Sequence, residues 1–139
     1  MPTTATKKTP VTDIQDIRTS EDVVRVRQRV RTLAVQSGLG LVDQTKIVTA
    51  ASELARNTLD YGGGGHVEME VLMLPRRGVR LVFVDQGPGI KDVEAALRDG
   101  FTTGGGMGLG LGGAKRLSSE FNIESRPGEG TRITIARWK

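Results

Sequence analysis

Cysteine is absent from the 139 residues of this chain. Disulfide bonds and thiolate–metal sites are therefore excluded, and the composition fits the reducing cytoplasm in which we expect the protein to act. No apolar run approaches the ~20 residues that a membrane-spanning helix needs, so we expect neither a signal peptide nor a membrane partner. Aromatic residues are scarce, with one Trp, one Tyr and three Phe, which predicts an aliphatic core.

The chain has no concentrated block of one charge, although its net charge is +4. A basic balance favours anionic partners such as a nucleotide, an acidic protein, a nucleic acid or a membrane surface. The Lys and Arg residues are scattered and form neither an arginine-rich tail nor a basic strand with interleaved aromatics. This distribution disfavours nucleic acid, and solubility alone explains the charge equally well.

The length predicts a single domain, residues 1–139, with residues 1–9 as a flexible polar tail. The residue patterns predict, in order, a strand at 11–17, a helix from the N-cap Ser20 to Gly38, a helix at 43–60 capped by Asp43, a hairpin of 66–74 and 79–84, a helix at 92–99, a helix at 109–119, and a hairpin of 121–125 and 131–138. This order predicts an α+β fold: a two-layer sandwich whose mixed, mostly antiparallel sheet is covered by helices on one face.

Glu53 and Asn57 are the first candidate functional pair. They are four residues apart in the predicted helix 43–60, so both side chains lie on one face, one turn apart. The carboxylate can accept a proton or orient a nucleophile, and the amide oxygen can bind a hard cation. An exposed acid and amide would show the same spacing. The glycine run at 62–65, which lets the backbone turn sharply, favours the functional interpretation.

Asp85-Gln-Gly-Pro-Gly89 directly follows a predicted buried strand. A carboxylate in this place can accept a hydrogen bond from an exocyclic amine such as that of adenine. Gly87 and Gly89 would leave room for the base against the backbone. An Asp that merely caps a turn would give the same pattern, and on these residues alone the two interpretations weigh equally.

Residues 104–113 form a second glycine-rich segment, which opens a predicted helix. Backbone N–H groups at the start of a helix can cradle phosphate. The segment contains no Walker motif and lacks the preceding strand of a dinucleotide fold. Glycine inside a helix costs up to ~1 kcal/mol relative to alanine, so Gly110, Gly112 and Gly113 need compensation. A flexible loop or a demand for close packing is the plainer alternative.

Together these segments resemble the GHKL (Bergerat-fold) ATPase and kinase superfamily of gyrase, the heat-shock protein of ninety kilodaltons, histidine kinases and MutL. The N box resembles Glu53-Leu-Ala-Arg-Asn57, and the three glycine boxes resemble residues 85–89, residues 106–110 and Gly130-Thr131. The resemblance covers nearly the whole chain, and the combination is far more specific than any single box. Residues 107–117 and the N box are most similar to RsbT-type anti-sigma regulatory kinases of the stressosome.

The resemblance implies a Bergerat ATP-binding fold and a serine/threonine kinase that uses ATP and Mg²⁺. It implies that Glu53 is the general base acting on the acceptor hydroxyl and that Asn57 holds Mg²⁺. It further implies that Asp85 binds the adenine amine with support from Thr131, where a β-branched strand residue is the plain alternative.

The glycines take their roles from the same resemblance. It implies that Gly87 and Gly89 give the base room and that residues 100–106 form a lid over ATP. Gly106, Gly108 and Gly110 would present N–H groups to the phosphates. Gly112 departs from the RsbT-type pattern, in which proline is often expected, and we expect this glycine to loosen the helix start.

The resemblance also implies the partners. The phosphate acceptor would be a STAS-domain antagonist or scaffold protein, and the released kinase would activate a PP2C-type phosphatase. One alternative is an RsbW- or SpoIIAB-like kinase that binds a sigma factor directly. A second is a nucleotide-gated binding module without catalysis, against which the intact Glu53 argues.

Overall fold

The computed structural model describes residues 13–98 and 110–139. The predicted tail at 1–9, the predicted lid at 100–106, and Gly106, Gly108 and Leu109 lie outside the described residues. The described elements are β1 (Asp13–Ile17), α1 (Ser20–Gln36), α2 (Leu41–Asp60), β2 (Gly65–Leu72), β3 (Gly78–Asp85), α3 (Val93–Ala96), α4 (Gly110–Arg116), β4 (Glu120–Ser125) and β5 (Thr131–Trp138).

The five strands form one sheet in the order β1-β2-β3-β5-β4. Each pair of neighbours in this sheet is antiparallel, so the predicted α+β sandwich is confirmed with a sheet more uniform than the mixed one we expected. On β3, Val79, Leu81 and Phe83 are buried under the helices, and the alternate residues Arg80 and Val84 face the uncovered side. One face of the sheet therefore carries the core.

The core is aliphatic, as the composition predicted, and Phe83 is the largest fully buried side chain in the described residues. Helices α1 and α2 each bury one stripe of the predicted spacing against the sheet. The buried residues of α1 are Val23, Val26, Val30, Leu33 and Ala34, and those of α2 include Ile47, Val48, Ala51, Leu54 and Ala55. In residues 13–98 and 110–139, no helix combines the length and the apolar character needed to cross a membrane.

Helix α1 is capped by Thr19, so the prediction of Ser20 as N-cap is wrong by one residue. The Thr19 hydroxyl accepts from the Asp22 N–H at 3.1 Å, and the Asp22 carboxylate accepts from the Arg18 and Thr19 N–H groups at 2.9 and 3.1 Å. These bonds, led by that from Arg18, lower the pKa of Asp22. The reciprocal bonds satisfy donors that a helix start otherwise leaves unpaired.

Asp43 does not cap α2, which begins after Gly40 with no side-chain cap. Instead, the Asp43 carboxylate lies 2.9 Å from Nε of Arg137 on β5. The Asp43 carboxylate, which the sequence pattern predicted to cap the helix, therefore forms a tertiary ion pair with Arg137. It ties the first turn of α2 to the sheet.

Strand β2 ends at Leu72, two residues before the predicted end. Val67 and Met69 are fully buried, but Met73, predicted to continue this alternation, is 44% exposed. The predicted helix at 92–99 is a single turn, Val93–Ala96, with Asp92 as its N-cap. Short helices and strand ends contain too few residues for the hydrophobic periodicity that makes long elements predictable from sequence.

Replacing Thr19 with alanine tests the cap. We expect Thr19→Ala to lower the free energy of unfolding by about 1 kcal/mol because it removes the hydroxyl acceptor at the N-cap. Ser20→Ala is the matched control, and it should change stability much less. Urea denaturation of both variants checks this, and equal effects would contradict the assignment.

Candidate active site

The C-terminal half of α2 positions the predicted acid. Glu53 is half-buried on this helix, and its Oε1 accepts a hydrogen bond from the N–H of Gly110 at 3.2 Å. Gly110 is the first residue of α4, the helix that follows the second glycine-rich segment. Two segments 57 residues apart in sequence are therefore brought together as predicted.

The turn after α2 links Asn57 to the other half of the site. The backbone carbonyl oxygen of Asn57 accepts hydrogen bonds from the N–H groups of Tyr61 and Gly62 at 2.9 and 3.2 Å. The Tyr61 hydroxyl then donates to the carbonyl oxygen of Gly89 at 2.9 Å. These bonds hold the turn after β3 against the end of α2.

Gly62 packs directly on the carboxyl group of Asp85, the last residue of β3. A Cβ at position 62 would lie 2.5 Å from Oδ2 of Asp85, and one at Gly87 would lie 2.7 Å from the Gly62 carbonyl oxygen. Side chains at either position would displace the carboxyl or the turn. The glycine run therefore has a specific role here, which is to let the α2 turn close over a buried acid.

The residue Asp85 is 8% exposed, and its Oδ1 accepts from the Gly87 N–H at 2.9 Å. Burial raises the pKa of Asp85 above its ordinary value, while hydrogen bonds from the Gly87 and Thr131 backbone oppose the rise. A carboxyl held by backbone N–H groups in this way is an acceptor fixed in direction. It suits recognition of an amine better than metal binding, and residues 13–98 and 110–139 contain no cluster of three metal-ligating side chains.

Thr131 lies directly opposite Asp85 in the β3–β5 ladder and is buried. Its hydroxyl lies 2.8 Å from the Ser125 hydroxyl, which also accepts from the Ile90 N–H at 2.7 Å. Ser125 thus joins β4, β5 and the turn after β3. Sequence reasoning missed both Ser125 and Tyr61, because each is recognisable only by partners distant in sequence.

Two further glycines shape this end of the sheet. Gly89 and Gly130 have φ of +79° and +82°, a region that side chains disfavour. A Cβ at Gly89 would overlap the Arg126 carbonyl oxygen, and one at Gly130 would overlap that of Asp85. Gly89 therefore allows the turn after β3 to meet the β4–β5 turn.

Helix α4 shows what compensates for its glycines. Gly112 and Gly113 are buried, and a Cβ at Gly112 would overlap the carbonyl oxygen of Leu97, just after α3. Close packing of α4 against this carbonyl offsets the poor helix propensity of glycine. In this structure, Gly112 lies inside the helix and contacts Leu97, so it has a packing role at the position where we expected a loosened start.

A cleft of ≈ 520 Å³ opens beside Asp85 and Thr131 at the ends of β3 and β5. Its walls include Ser125, Glu124 and Arg132. The cleft therefore lies past the end of the sheet, on the side of the uncovered face, and is not lined by Glu53 or Asn57. The predicted site residues form two linked groups: Glu53 with Gly110, and Asp85 with Gly87 and Thr131, joined by the Asn57–Gly62 turn.

The variant Asp85→Asn tests the role of this carboxyl, because it should lower ATP affinity without lowering the stability of the fold. We expect ATP affinity to fall about 10- to 100-fold, the value of a hydrogen bond to a charged group, because the amide presents its own N–H₂ to the base. The folded state holds the Asp85 proton more tightly, so its contribution to stability is lost as pH rises from 3.8 to the raised pKa. At neutral pH the variant should therefore unfold at the wild-type temperature or above.

Calorimetry with ATP and thermal unfolding between pH 4 and 8 check both halves of this prediction. Asp60→Asn is the control, because Asp60 is an exposed carboxylate at the end of α2. An Asp85→Asn variant with wild-type ATP affinity would rule out the adenine role.

Comparison with known proteins identifies the family of the chain. The family model for histidine kinase-, DNA gyrase B- and HSP90-like ATPases matches residues 42–139. The chain belongs to this family, whose model covers every described site residue.

Among curated proteins, the chain is 46% identical to the serine/threonine-protein kinase RsbT of Bacillus subtilis, over 88% of this chain and 92% of the relative. It is 24% identical to an anti-sigma F factor of Thermoanaerobacter sp., over 94% of each chain. The identity to the first of these relatives, over most of both chains, is high enough to assign the chain to the same class of enzyme, a serine/threonine kinase.

Solved structures support the fold alone. A chain with the RsbU and RsbW domains of Rv1364c from Mycobacterium tuberculosis matches 91% of this chain, with a TM-score of 0.61 and 24% identity. This chain spans 33% of that solved chain. The mycobacterial sensor histidine kinase MprB matches with a TM-score of 0.56 and 22% identity, over 91% of this chain and 96% of the other.

Proposed function

We propose that residues 1–139 form one ATP-dependent serine/threonine kinase domain that phosphorylates a STAS-domain antagonist or scaffold protein. The hydrogen bond between Glu53 and Gly110 carries this proposal, because it joins an acid suited to proton transfer to the glycine-rich helix. The predicted enzyme class, protein serine/threonine kinase, is confirmed by the 46% identity to a kinase of that class. The acceptor protein is the part that we propose.

The residues around Asp85 fit an adenine ring. The described partners of this buried carboxyl are backbone N–H groups, so it keeps acceptor capacity for an exocyclic amine. Thr131 lies beside it in the ladder and is held in place by Ser125. We assign adenine recognition to Asp85 and Thr131, with Gly87 and Gly89 shaping the turn beside them.

Phosphate binding is assigned to the N–H groups of Gly106, Gly108 and Gly110. Of these, the structure describes Gly110, whose N–H donates to the Glu53 carboxylate at 3.2 Å. The Gly110 N–H is therefore a donor close to the proposed base. This proximity supports a phosphate site at the start of α4.

Asn57 is the residue that we assign to Mg²⁺, because an amide oxygen is a ligand that hard cations accept. It lies one turn beyond Glu53, on the same face of α2. The ion would neutralise charge on the phosphates.

Glu53 would accept the proton of the acceptor hydroxyl. Its half-buried position on a long helix fixes the carboxylate in direction, and the bond to Gly110 restricts it further. A base placed in this way acts by orienting the hydroxyl as well as by accepting its proton.

Glu53→Gln tests the base. The amide oxygen can still accept from the Gly110 N–H, so we expect unchanged ATP affinity and a transfer rate lower by about 10²- to 10⁴-fold. Single-turnover assays with radiolabelled ATP and a STAS-domain protein measure this. Phosphate transfer by Glu53→Gln at nearly the wild-type rate would show that the base lies elsewhere. If the wild-type chain itself transferred no phosphate, a nucleotide-gated binding module would be favoured.

Asn57→Ala tests the metal. We expect ATP affinity of the variant to lose its dependence on Mg²⁺ concentration, because the amide ligand is gone. Calorimetric titrations of ATP with and without Mg²⁺ provide the measurement. Thr49→Ala, two turns earlier on α2, is the control, and a wild-type magnesium response in Asn57→Ala would contradict the assignment.

The pathway is proposed from the relatives. An RsbT-like kinase in the cytoplasm would be released by phosphorylating its antagonist and would then activate a PP2C-type phosphatase. Identity of 24–25% to three anti-sigma F factors supports a second candidate, a kinase that binds a sigma factor directly. Binding assays with a purified sigma factor, a STAS scaffold and a PP2C-type phosphatase separate the two.

A further inference from the structure

Three polar side chains form a row across the strand ends at the proposed adenine site. Asp85 lies opposite Thr131 in the β3–β5 ladder, and Thr131 lies opposite Ser125 in the β4–β5 ladder. Opposite residues of antiparallel strands project from the same face of the sheet, with Cβ atoms about 4.5–5.5 Å apart. Thr131 is therefore the middle member of the row, and Ser125 reaches the surroundings of Asp85 through it.

The Ser125 hydroxyl has three polar neighbours. It accepts a hydrogen bond from the Ile90 N–H at 2.7 Å and donates one to the carbonyl oxygen of Gly130 at 3.1 Å. Its third neighbour is the Thr131 hydroxyl, at 2.8 Å. A serine hydroxyl has one proton and two lone pairs, so it makes one bond as a donor and two as an acceptor. The three neighbours therefore use the full bonding capacity of this oxygen.

The direction of the bond between the two hydroxyl groups follows from this count. The carbonyl oxygen of Gly130 is an acceptor, so it needs the Ser125 proton, and Ser125 then accepts the proton of Thr131. In the reverse arrangement Ser125 would donate to Thr131, and two oxygens 3.1 Å apart would face each other without a proton between them. The Thr131 oxygen therefore presents lone pairs, and no proton, to a ligand beside Asp85.

We propose that Ser125 is a positioning residue for base selection, which holds the Thr131 hydroxyl as an acceptor beside the Asp85 carboxylate. This role depends on the proposed adenine site and names the part of the base that the site selects. A 6-amino group of a purine is a donor, which suits two acceptors. A 6-oxo group, as in guanine and hypoxanthine, would instead face lone pairs from both side chains. Because an unpaired buried acceptor costs free energy, the row favours 6-aminopurines over 6-oxopurines.

Binding of ATP and inosine triphosphate (ITP) to the full chain tests this role. The two nucleotides share their ribose and phosphates and differ only at N1 and the 6-position of the base, so the ratio of their dissociation constants reports base selection. We expect the wild-type chain to prefer ATP about 100-fold, and Ser125→Ala to reduce this preference about tenfold, because the Thr131 proton becomes free to turn towards a 6-oxo group. Calorimetry at pH 8, which favours the ionised form of Asp85, measures both constants.

Further variants separate positioning from a general loss of structure, which would weaken ATP and ITP alike and leave their ratio unchanged. Ser125→Thr keeps the hydroxyl and should keep the wild-type ratio. Thr131→Val removes the positioned hydroxyl and should also reduce the preference for ATP, and adding Ser125→Ala to it should change the ratio no further. Ser118→Ala is the matched control, because it removes a hydroxyl that donates to the Ala114 carbonyl oxygen at 2.8 Å, and it should keep the wild-type ratio.

The variant Asp85→Asn distinguishes a failure of this role from a failure of the adenine site itself. If Asp85→Asn loses the preference for ATP while Ser125→Ala or Thr131→Val keeps it, the adenine site stands and the role of Ser125 is overturned. Equal affinity of the wild-type chain for ATP and ITP would overturn both. If Ser125→Ala does not fold, Thr131→Val decides, because it leaves the bonds of Ser125 to Ile90 and Gly130 in place.

Discussion

The contact of a glycine backbone with a buried carboxyl is the constraint on which this site depends. Gly62 lies against the Asp85 carboxyl so closely that no side chain fits between them. This contact fixes where the end of α2 meets the end of β3, and therefore where Glu53 and Asn57 lie relative to the Asp85 carboxyl. Burial makes ionisation of Asp85 less favourable and raises its pKa, while the backbone hydrogen bonds around it hold the carboxyl in one direction.

The sheet is used unevenly, because helices cover only one of its faces. The covered face supplies the core, and the Asp85 end of β3 supplies one half of the site. At the Gly78 end, far from that site, the guanidinium groups of Arg76 and Arg80 each lie 5.9 Å from the Trp138 ring centroid. One strand thus runs from the candidate site residues around Asp85 to Trp138, roughly 23 Å away at about 3.3 Å per residue.

Long periodic elements were predictable from the sequence, and so were the segments that converge. Helices α1 and α2 each bury one apolar face. The spacing of three or four residues between apolar positions predicts that face from the sequence alone. The single-turn helix α3 and the end of β2 were predicted less well, because few residues define them. Ser20 and Asp43 were wrongly predicted to be helix caps for a different reason. Adjacent hydroxyls compete for one cap, and Arg137 of the last strand claims the Asp43 carboxylate.

The sequence by itself determined the residue types of the site and their order: an acid and amide one turn apart, an Asp after a buried strand, and glycines where side chains would be excluded. Only the tertiary structure decided which glycine faces which group, and it brought in Tyr61 and Ser125, whose partners lie 28 and 35 residues away. The physical reason is that periodicity and turn chemistry are local properties of a chain. Close packing between distant segments, in contrast, is specified by all of their neighbours together.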